Sequence, residues 1–310
     1  MSVCLGIDTS NYTTSAALYD ADTGAVLMAR KLLPVRQGER GLRQSDAVFH
    51  HVRQLPDLLE QLMRDGADAV AAVGVSSRPR SVDGSYMPCF TVGEGAAREL
   101  SAVLRIPLYR FSHQQGHIAA ALYSADRLDL LYTPHIAFHV SGGTTEALLV
   151  NGEQGLLTTR LLAHTLDLNA GQLIDRVGVM MGLSFPCGKE LEKLAARCTD
   201  TITVRPTIKG GDCCLSGIEN QCRKLLYDGY PVEYIARFTL LSVQETIYEM
   251  CERIERDYPD MPVVFAGGVM SNALIRESIQ RRISCVFASP EYSTDNAAGI
   301  ALLAAITGES

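Results

Sequence analysis

The chain has 310 residues, 47% of them hydrophobic and 20% charged, a balance that excludes disordered and fibrous proteins and leaves room for two cores. Twenty-eight Lys and Arg against 35 Asp and Glu give a formal charge of -7, so any contact with nucleic acid must come from a local basic face.

In chain order, Val3–Asp8 and Ser15–Tyr19 are short β-type runs joined by the polar stretch Thr9–Thr14, and Val26–Leu33 is a third strand after the Asp22–Gly24 turn. Ser45 and Asp46 can cap a helix whose apolar residues Val48, Val52, Leu55, Leu58, Leu59 and Leu62 recur at three- and four-residue steps. Ala69–Ser76 follows as a buried strand, Gly95–Leu104 as a helix, Ile106–Phe111 as a strand and His113–Ser124 as a helix. The order then begins again. His135–Val140, Glu146–Asn151 and Leu157–His164 are strands, the first two joined by the polar turn Ser141–Thr145. A helix around Asn169–Met181, a Pro- and Gly-rich stretch and a long helix over Val232–Arg256 come next. Val263–Ala266, Ser271–Arg282, Cys285–Ser289 and Thr294–Ile306 then alternate strand and helix. Two βββαβα-type halves predict an α/β fold of duplicated ribonuclease-H-like domains with a ligand in the central cleft. The boundary is expected near residue 133, giving domains 1–133 and 134–310, with the last helix a candidate to pack back on the first.

No apolar run approaches the roughly 20 residues of a membrane span, and Met1–Asp8 lacks a basic n-region. The expectation is a cytoplasmic protein with no membrane partner. Nine cysteines, with no CxxC spacing and with Cys213 and Cys214 adjacent, read as reduced thiols.

Two strands run into diglycine turns, at Val140-Ser141-Gly142-Gly143 and at Ala266-Gly267-Gly268, expected at matching places in the two halves. Such turns let a backbone approach an anion and aim N–H donors at it, the chemistry of a nucleotide phosphate. Asp8, at the end of the first strand, and Asp175, inside a helix, are carboxylates that could hold water, a hydroxyl or a ribose. Their bland alternative is a capping or solvated acid. His113 and His117 lie four residues apart, on one helical face and within reach of a single metal ion. Position 114 is Gln, so the general base of an HExxH protease is missing and a proteolytic reading loses its mechanism. A third ligand must come from afar; Asp295 is the candidate, against its simpler reading as a helix N-terminal acid. Arg30, Lys31, Arg36, Arg40 and Arg43 fall in one 14-residue segment, with Arg78 and Arg80 at another loop; these could neutralise phosphates or be solvated surface.

Taken together, Gly6-Ile7-Asp8-Thr9-Ser10, His113-x-x-x-His117, Val140-Ser141-Gly142-Gly143, Asp167 through Asp175, Phe185-Pro186-Cys187-Gly188, Leu215-Ser216-Gly217, Ala266-Gly267-Gly268-Val269-x-Ser271-Asn272 and Thr294-Asp295-Asn296 resemble the tRNA threonylcarbamoyladenosine synthase (TsaD) family, once labelled M22 glycoproteases. The match runs in order over nearly the whole chain. It implies the two-domain fold of actin, Hsp70 and sugar kinases, and transfer of threonylcarbamoyl from threonylcarbamoyl-AMP to the tRNA adenosine 3′ of the anticodon. By the same resemblance His113, His117 and Asp295 are the ligands of one divalent metal ion, iron or zinc. Val140, Ser141, Gly142, Gly143 and Thr144 form the turn that meets substrate, and Asp175, Gly188 and Asn272 bind the nucleotide. It further implies a tRNA partner, a related scaffold subunit forming a heterodimer, and a separate enzyme that supplies the adenylate. The sequence departs from the family pattern where Thr144 replaces a histidine, where Asp8-Thr9-Ser10-Asn11-Tyr12 replaces Glu-Thr-Ser-Cys-Asp, at Ser77–Arg80, at Cys187 and at Glu219. An ATP-dependent phosphotransferase with Asp8 or another cleft carboxylate as base, and a non-catalytic binder of ATP, AMP or the adenylate, are the alternative readings.

Overall fold

The computed structural model describes residues 3–10, 12–34, 42–66, 69–82, 84–153, 156–292 and 296–309. Contacts divide the chain into two compact units: Met1–Thr133 with Asn151–Thr158 and Glu291–Ser310, and Pro134–Val150 with Thr159–Pro290.

The first unit is built on β1 (Val3–Ser10), β2 (Thr13–Asp20), β3 (Val26–Leu32), β4 (Ala72–Arg78) and β5 (Leu108–Ser112), in the order β3-β2-β1-β4-β5. β1, β2 and β3 pair antiparallel, while β4 is parallel to both β1 and β5. β1 and β2 are longer than their apolar cores suggested: pairing carries through Thr9↔Thr14 and Ser10↔Thr13, so most of the polar stretch is strand.

Helices cover both faces of this sheet. Leu5, Ile7, Ala16 and Leu18 pack with Leu55, Leu58 and Leu62 of α1 (Gln44–Gly66) and Ala97 of α2 (Phe90–Leu104). Alternation along the strands turns the intervening Gly6 and Ala17 to the opposite face, where α9 (Ala297–Glu309) lies. That helix is apolar all round, with Ala297, Ala298, Ile300, Ala301, Leu302, Leu303 and Ala304 buried, as a helix with no solvent face must be. It also packs on α3 (His113–Ser124) through glycine: a Cβ at Gly299 would lie 2.0 Å from the Gly116 carbonyl oxygen.

Two expectations here need correction. Val52 is exposed, and at that turn of α1 the inward residues are polar instead: His51 is buried and its Nδ1 sits 2.8 Å from Thr14 Oγ1, which also donates to Gln54. α2 starts at Phe90 rather than Gly95, because Gly93 is a packing glycine whose N–H donates to Thr9 Oγ1.

The second unit has β6 (His135–Val140), β7 (Thr145–Glu153), β8 (Leu156–His164), β11 (Val263–Ala266) and β12 (Cys285–Phe287), in the order β12-β11-β6-β7-β8. Read from the other edge, this is the connectivity of the first sheet. Phe138, Phe265 and Phe287 occupy paired positions on three adjacent strands, with ring centroids 4.9 and 5.0 Å apart. Around them pack α4 (Ala170–Met180), α6 (Ser216–Tyr227), α7 (Val232–Asp257) and α8 (Ala273–Gln280). The Pro- and Gly-rich stretch holds α5 (Gly188–Ala195), a two-residue ladder of β9 (Ile208–Lys209) and β10 (Asp212–Cys213), and α6, none of which the sequence pattern had announced. The start of α6 is fixed by a carboxylate 49 residues away: Asp167 accepts hydrogen bonds from the Ser216 hydroxyl and from the Leu215 and Ser216 N–H groups. No helix among the described residues is long and apolar enough to cross a membrane.

Candidate functional site

In the first unit, Asp8 follows Gly6 by two residues and therefore lies on the α9 face, at the C-terminal end of β1. It is fully buried. Its Oδ1 accepts from Ser10 N–H at 2.8 Å and its Oδ2 lies 2.8 Å from His113 Nδ1. Burial opposes ionisation of this carboxyl, but the charge and hydrogen bond of His113, with the Ser10 contact, hold it below the ordinary carboxylate range. An ionised Asp8 can only accept, so His113 Nδ1 carries a proton and donates it, and Nε2 is the ring nitrogen left outside that bond. This is the carboxylate–histidine arrangement that orients a metal-binding imidazole.

His113 opens α3, whose start is set by a capping box. The Ser112 hydroxyl accepts from Gln115 N–H, and Gln115 Oε1 accepts from Ser112 N–H. Gln115 also donates to the Leu157 carbonyl, anchoring the turn between the two histidines. The rings of His113 and His117 stand 4.6 Å apart, and Phe90 packs edge-on against His113 at 5.9 Å. Asn296, just ahead of α9, brings its Nδ2 to 3.5 Å from His113 Nε2, while its buried Oδ1 has no hydrogen-bond partner. Asp295 lies outside the described residues. No group of three His, Cys, Asp or Glu side chains able to hold a metal ion is found among the described residues.

In the second unit the two diglycine turns are neighbours at the ends of adjacent parallel strands, β6 and β11, which corrects their expected assignment to separate halves. Gly267 has φ +99°, and a Cβ there would lie 2.3 Å from the Val140 carbonyl oxygen, so the turns touch through a glycine. By contrast, Gly142, Gly143, Gly188 and Gly268 face open space where a Cβ would go. Val140 is buried. The Ser141 hydroxyl accepts from the N–H groups of Gly143 and Thr144, so this side chain shapes the turn. Asp175, half-buried in α4, accepts from Cys187 N–H at 2.8 Å, which seats the segment leading into Gly188. Burial pushes its carboxyl up, and that single hydrogen bond offsets the push only in part. Asn272 caps α8 by accepting from Ile275 N–H with Oδ1. Glu219 forms ion pairs with Arg176 and Arg223.

The cysteines offer no nucleophile at these positions. None of the nine is in a disulfide, and burial pushes the Cys89, Cys213 and Cys222 thiols up to about 11 and Cys251 up to about 12. Of the basic residues, Arg30 and Lys31 lie exposed on the edge strand β3, where charge also blocks edge pairing, and Arg43 and Arg80 are exposed. Arg36 and Arg40 lie outside the described residues. Sequence reasoning gave no separate role to Asn296, nor to Asp167 as the organiser of α6; the sequence signals for the former are its place in the Thr294-Asp295-Asn296 motif and the apolar helix that follows it.

The repeated sheet order and the helices on both faces define a two-domain α/β fold of the actin, Hsp70 and sugar-kinase class. Solved structures agree. HypF from T. kodakarensis superimposes with a TM-score of 0.67 at 12% identity, over 99% of this chain and 48% of that one. A ROK family glucokinase from Streptomyces griseus gives 0.54 at 14%, over 98% and 99%. The chain belongs to the TsaD family, described as tRNA N6-adenosine threonylcarbamoyltransferase, whose model matches residues 35–302. Proteins of that name from Methanopyrus kandleri and Legionella pneumophila are 26% and 29% identical, each over 96% of this chain and over 86% and 91% of their own lengths. A probable bifunctional tRNA threonylcarbamoyladenosine biosynthesis protein from Methanothermobacter thermautotrophicus is 27% identical over 97% of this chain, which spans 55% of that relative.

Proposed function

We propose that this chain transfers a threonylcarbamoyl group from threonylcarbamoyl-AMP to the exocyclic amine of a tRNA adenosine 3′ of the anticodon. The amine nitrogen bonds to the carbamoyl carbon, the bond from that carbon to the phosphate oxygen breaks, AMP leaves, and the amine proton passes to solvent. The observation that supports this reading most directly is the buried Asp8–His113 pair beside His117 in a chain of this family. The donor set fits a divalent ion of the iron or zinc type: one imidazole is oriented by a carboxylate and a second lies at contact distance. Such an ion, when bound, supplies positive charge against the oxygen of the carbonyl under attack.

Asp8 acts as a positioning residue. Both of its oxygens are engaged, which also speaks against Asp8 as the base of a phosphotransferase. His113 and His117 hold the ion, with Asp295 as the carboxylate that family resemblance adds. The glycines at 142, 143, 188 and 268 give a nucleotide room to approach backbone N–H groups, the Gly267 contact fixes how the two turns meet, and Asp175 and the Asn272 amide N–H group suit ribose or phosphate. Ser141 and Thr144 complete the turn, with no imidazole at position 144. A tRNA, a related scaffold subunit and a separate adenylate-supplying enzyme are the partners this reading requires.

The test is nucleoside mass spectrometry on unmodified tRNA incubated with the protein, threonylcarbamoyl-AMP, metal and candidate partner subunits. Threonylcarbamoyladenosine is expected with the wild-type chain and not with His113→Ala. Adenylate binding without product under complete conditions would replace the transferase with a binding role.

A further inference from the structure

We propose that the side-chain amide of Asn296 is an oxygen ligand of the ion held by His113 and His117. The inference rests on the metal-site reading above and adds a residue to it. Asn296 is 4% exposed, yet its Oδ1 has no hydrogen-bond partner, a loss of about 1–3 kcal/mol for a buried polar atom. The natural use for an Asn at this place is to cap the helix that follows. Asn272 does so at the head of α8, where its Oδ1 accepts from Ile275 N–H at 3.1 Å. Asn296, at the head of α9, withholds its Oδ1 from that bond, although its backbone carbonyl accepts from Ile300 N–H as a helix start requires.

What the amide does instead is meet His113. Its Nδ2 lies 3.5 Å from Nε2, the ring nitrogen that does not bond Asp8. Rotating the amide by half a turn exchanges its nitrogen and oxygen at almost no change in shape. The oxygen then stands where the nitrogen stood. Two atoms each bonded at about 2.1 Å to one tetrahedral ion are separated by about 3.4 Å, which is the spacing available here. The amide nitrogen faces Nε2 in the structure; an ion bound there would be met by the amide oxygen instead. The backbone around Asn296 is closely packed on α3, since a Cβ at Gly116 would lie 3.0 Å from the Asn296 carbonyl oxygen.

The measurement is metal affinity and the visible spectrum of the full chain, stripped by chelator and titrated with Zn²⁺ or Co²⁺. Asn296→Leu is expected to weaken binding by about tenfold or more and to shift the Co²⁺ bands. Asn296→Asp, which keeps an oxygen donor, is expected to bind at least as tightly as wild type, with bands displaced by the new carboxylate. If Asn296→Leu binds with wild-type affinity and spectrum while His113→Ala loses the ion, the Asn296 proposal is wrong and the histidine site stands. If His113→Ala keeps wild-type affinity, the metal-site reading itself fails and the Asn296 proposal with it. Melting of the metal-free variants checks folding. Should Asn296→Leu not fold, an unchanged cobalt spectrum in Asn296→Asp would overturn the proposal by itself.

Discussion

The polar centre of the first unit and the glycine turns of the second are built on opposite plans. Around His113 the side chains carry the chemistry: a buried carboxylate and an amide lie within hydrogen-bond distance of the imidazole and a second imidazole packs at 4.6 Å, all held by strand, helix and capping box. At Gly142 and Gly268 no described atom beyond the chain neighbours lies within 4 Å of where a Cβ would go, the backbone lies beside open space, and the Ser141 hydroxyl nearby braces its own turn. The contrast separates two tasks. A small ion needs donors fixed to fractions of an ångström, whereas a nucleotide needs room for its phosphates and backbone N–H groups that can be reached.

The largest expected effect falls on the fixed centre. His113→Ala and His117→Ala should each lower threonylcarbamoyl transfer by more than about a hundredfold and abolish metal retention, because each removes a donor rather than a supporting contact. Metal analysis after dialysis, alongside the tRNA assay, checks this; a variant that keeps its metal would break the comparison at its strongest point. Asp8→Asn should reduce metal affinity by about 10–100-fold with both histidines intact, as loss of an orienting carboxylate does elsewhere. Calorimetric titration reads that effect.

A pair of glycine variants sharpens the other side. Gly267→Ala should destabilise the protein by about 2–4 kcal/mol, since the residue has φ +99° and its new methyl would meet the Val140 carbonyl oxygen. Gly143→Ala, with nothing nearby, should change stability by less than about 0.5 kcal/mol while weakening adenylate binding. Denaturant melts and adenylate titrations distinguish a turn that shapes the fold from one that serves a ligand.

The smallest effects are electrostatic and of opposite sign. Burial raises the Asp175 carboxyl above its ordinary value of 3.8, so its contribution to stability is present below that value and lost as pH rises through the folded one. Asp175→Asn should therefore gain in melting temperature relative to wild type as pH climbs toward neutral. For Asp167, burial also opposes ionisation, but hydrogen bonds from Ser216, Leu215 and Leu168 outweigh it and lower the carboxyl. Its stabilisation is present above 3.8 and lost as pH falls through the folded value. The cost of Asp167→Asn should accordingly be full at neutral pH and shrink in acid. Melting curves across pH 3 to 8 (roughly the range of carboxylate titration) that ran parallel for both variants would contradict this pair.

Much of the fold was legible because it depends on local pattern. Helix α3 and strands β6 and β11 fall on their expected bounds, since apolar periodicity and capping residues mark them. α5 and α6 were not legible: their buried stripes are as short as Leu191 with Ala195 and Ile218 with Cys222, and α6 begins on a carboxylate from a distant segment. Val52, expected inward from its spacing, is exposed, while the neighbouring His51 turns in to meet the hydroxyl of Thr14, a partner that periodicity cannot foresee.

The sequence by itself determined the two strand-and-helix repeats, the histidine pair on one helical turn, the glycine turns and membership of the family. These follow from spacing along the chain, which fixes which residues share a face. Only the tertiary structure decided that both diglycine turns belong to one sheet, that Asp8 orients His113, and that the last helix returns to the first unit with Asn296 at its head. Each of those depends on pairing between segments far apart in sequence, where close packing of strands and helices, rather than local periodicity, selects the neighbour.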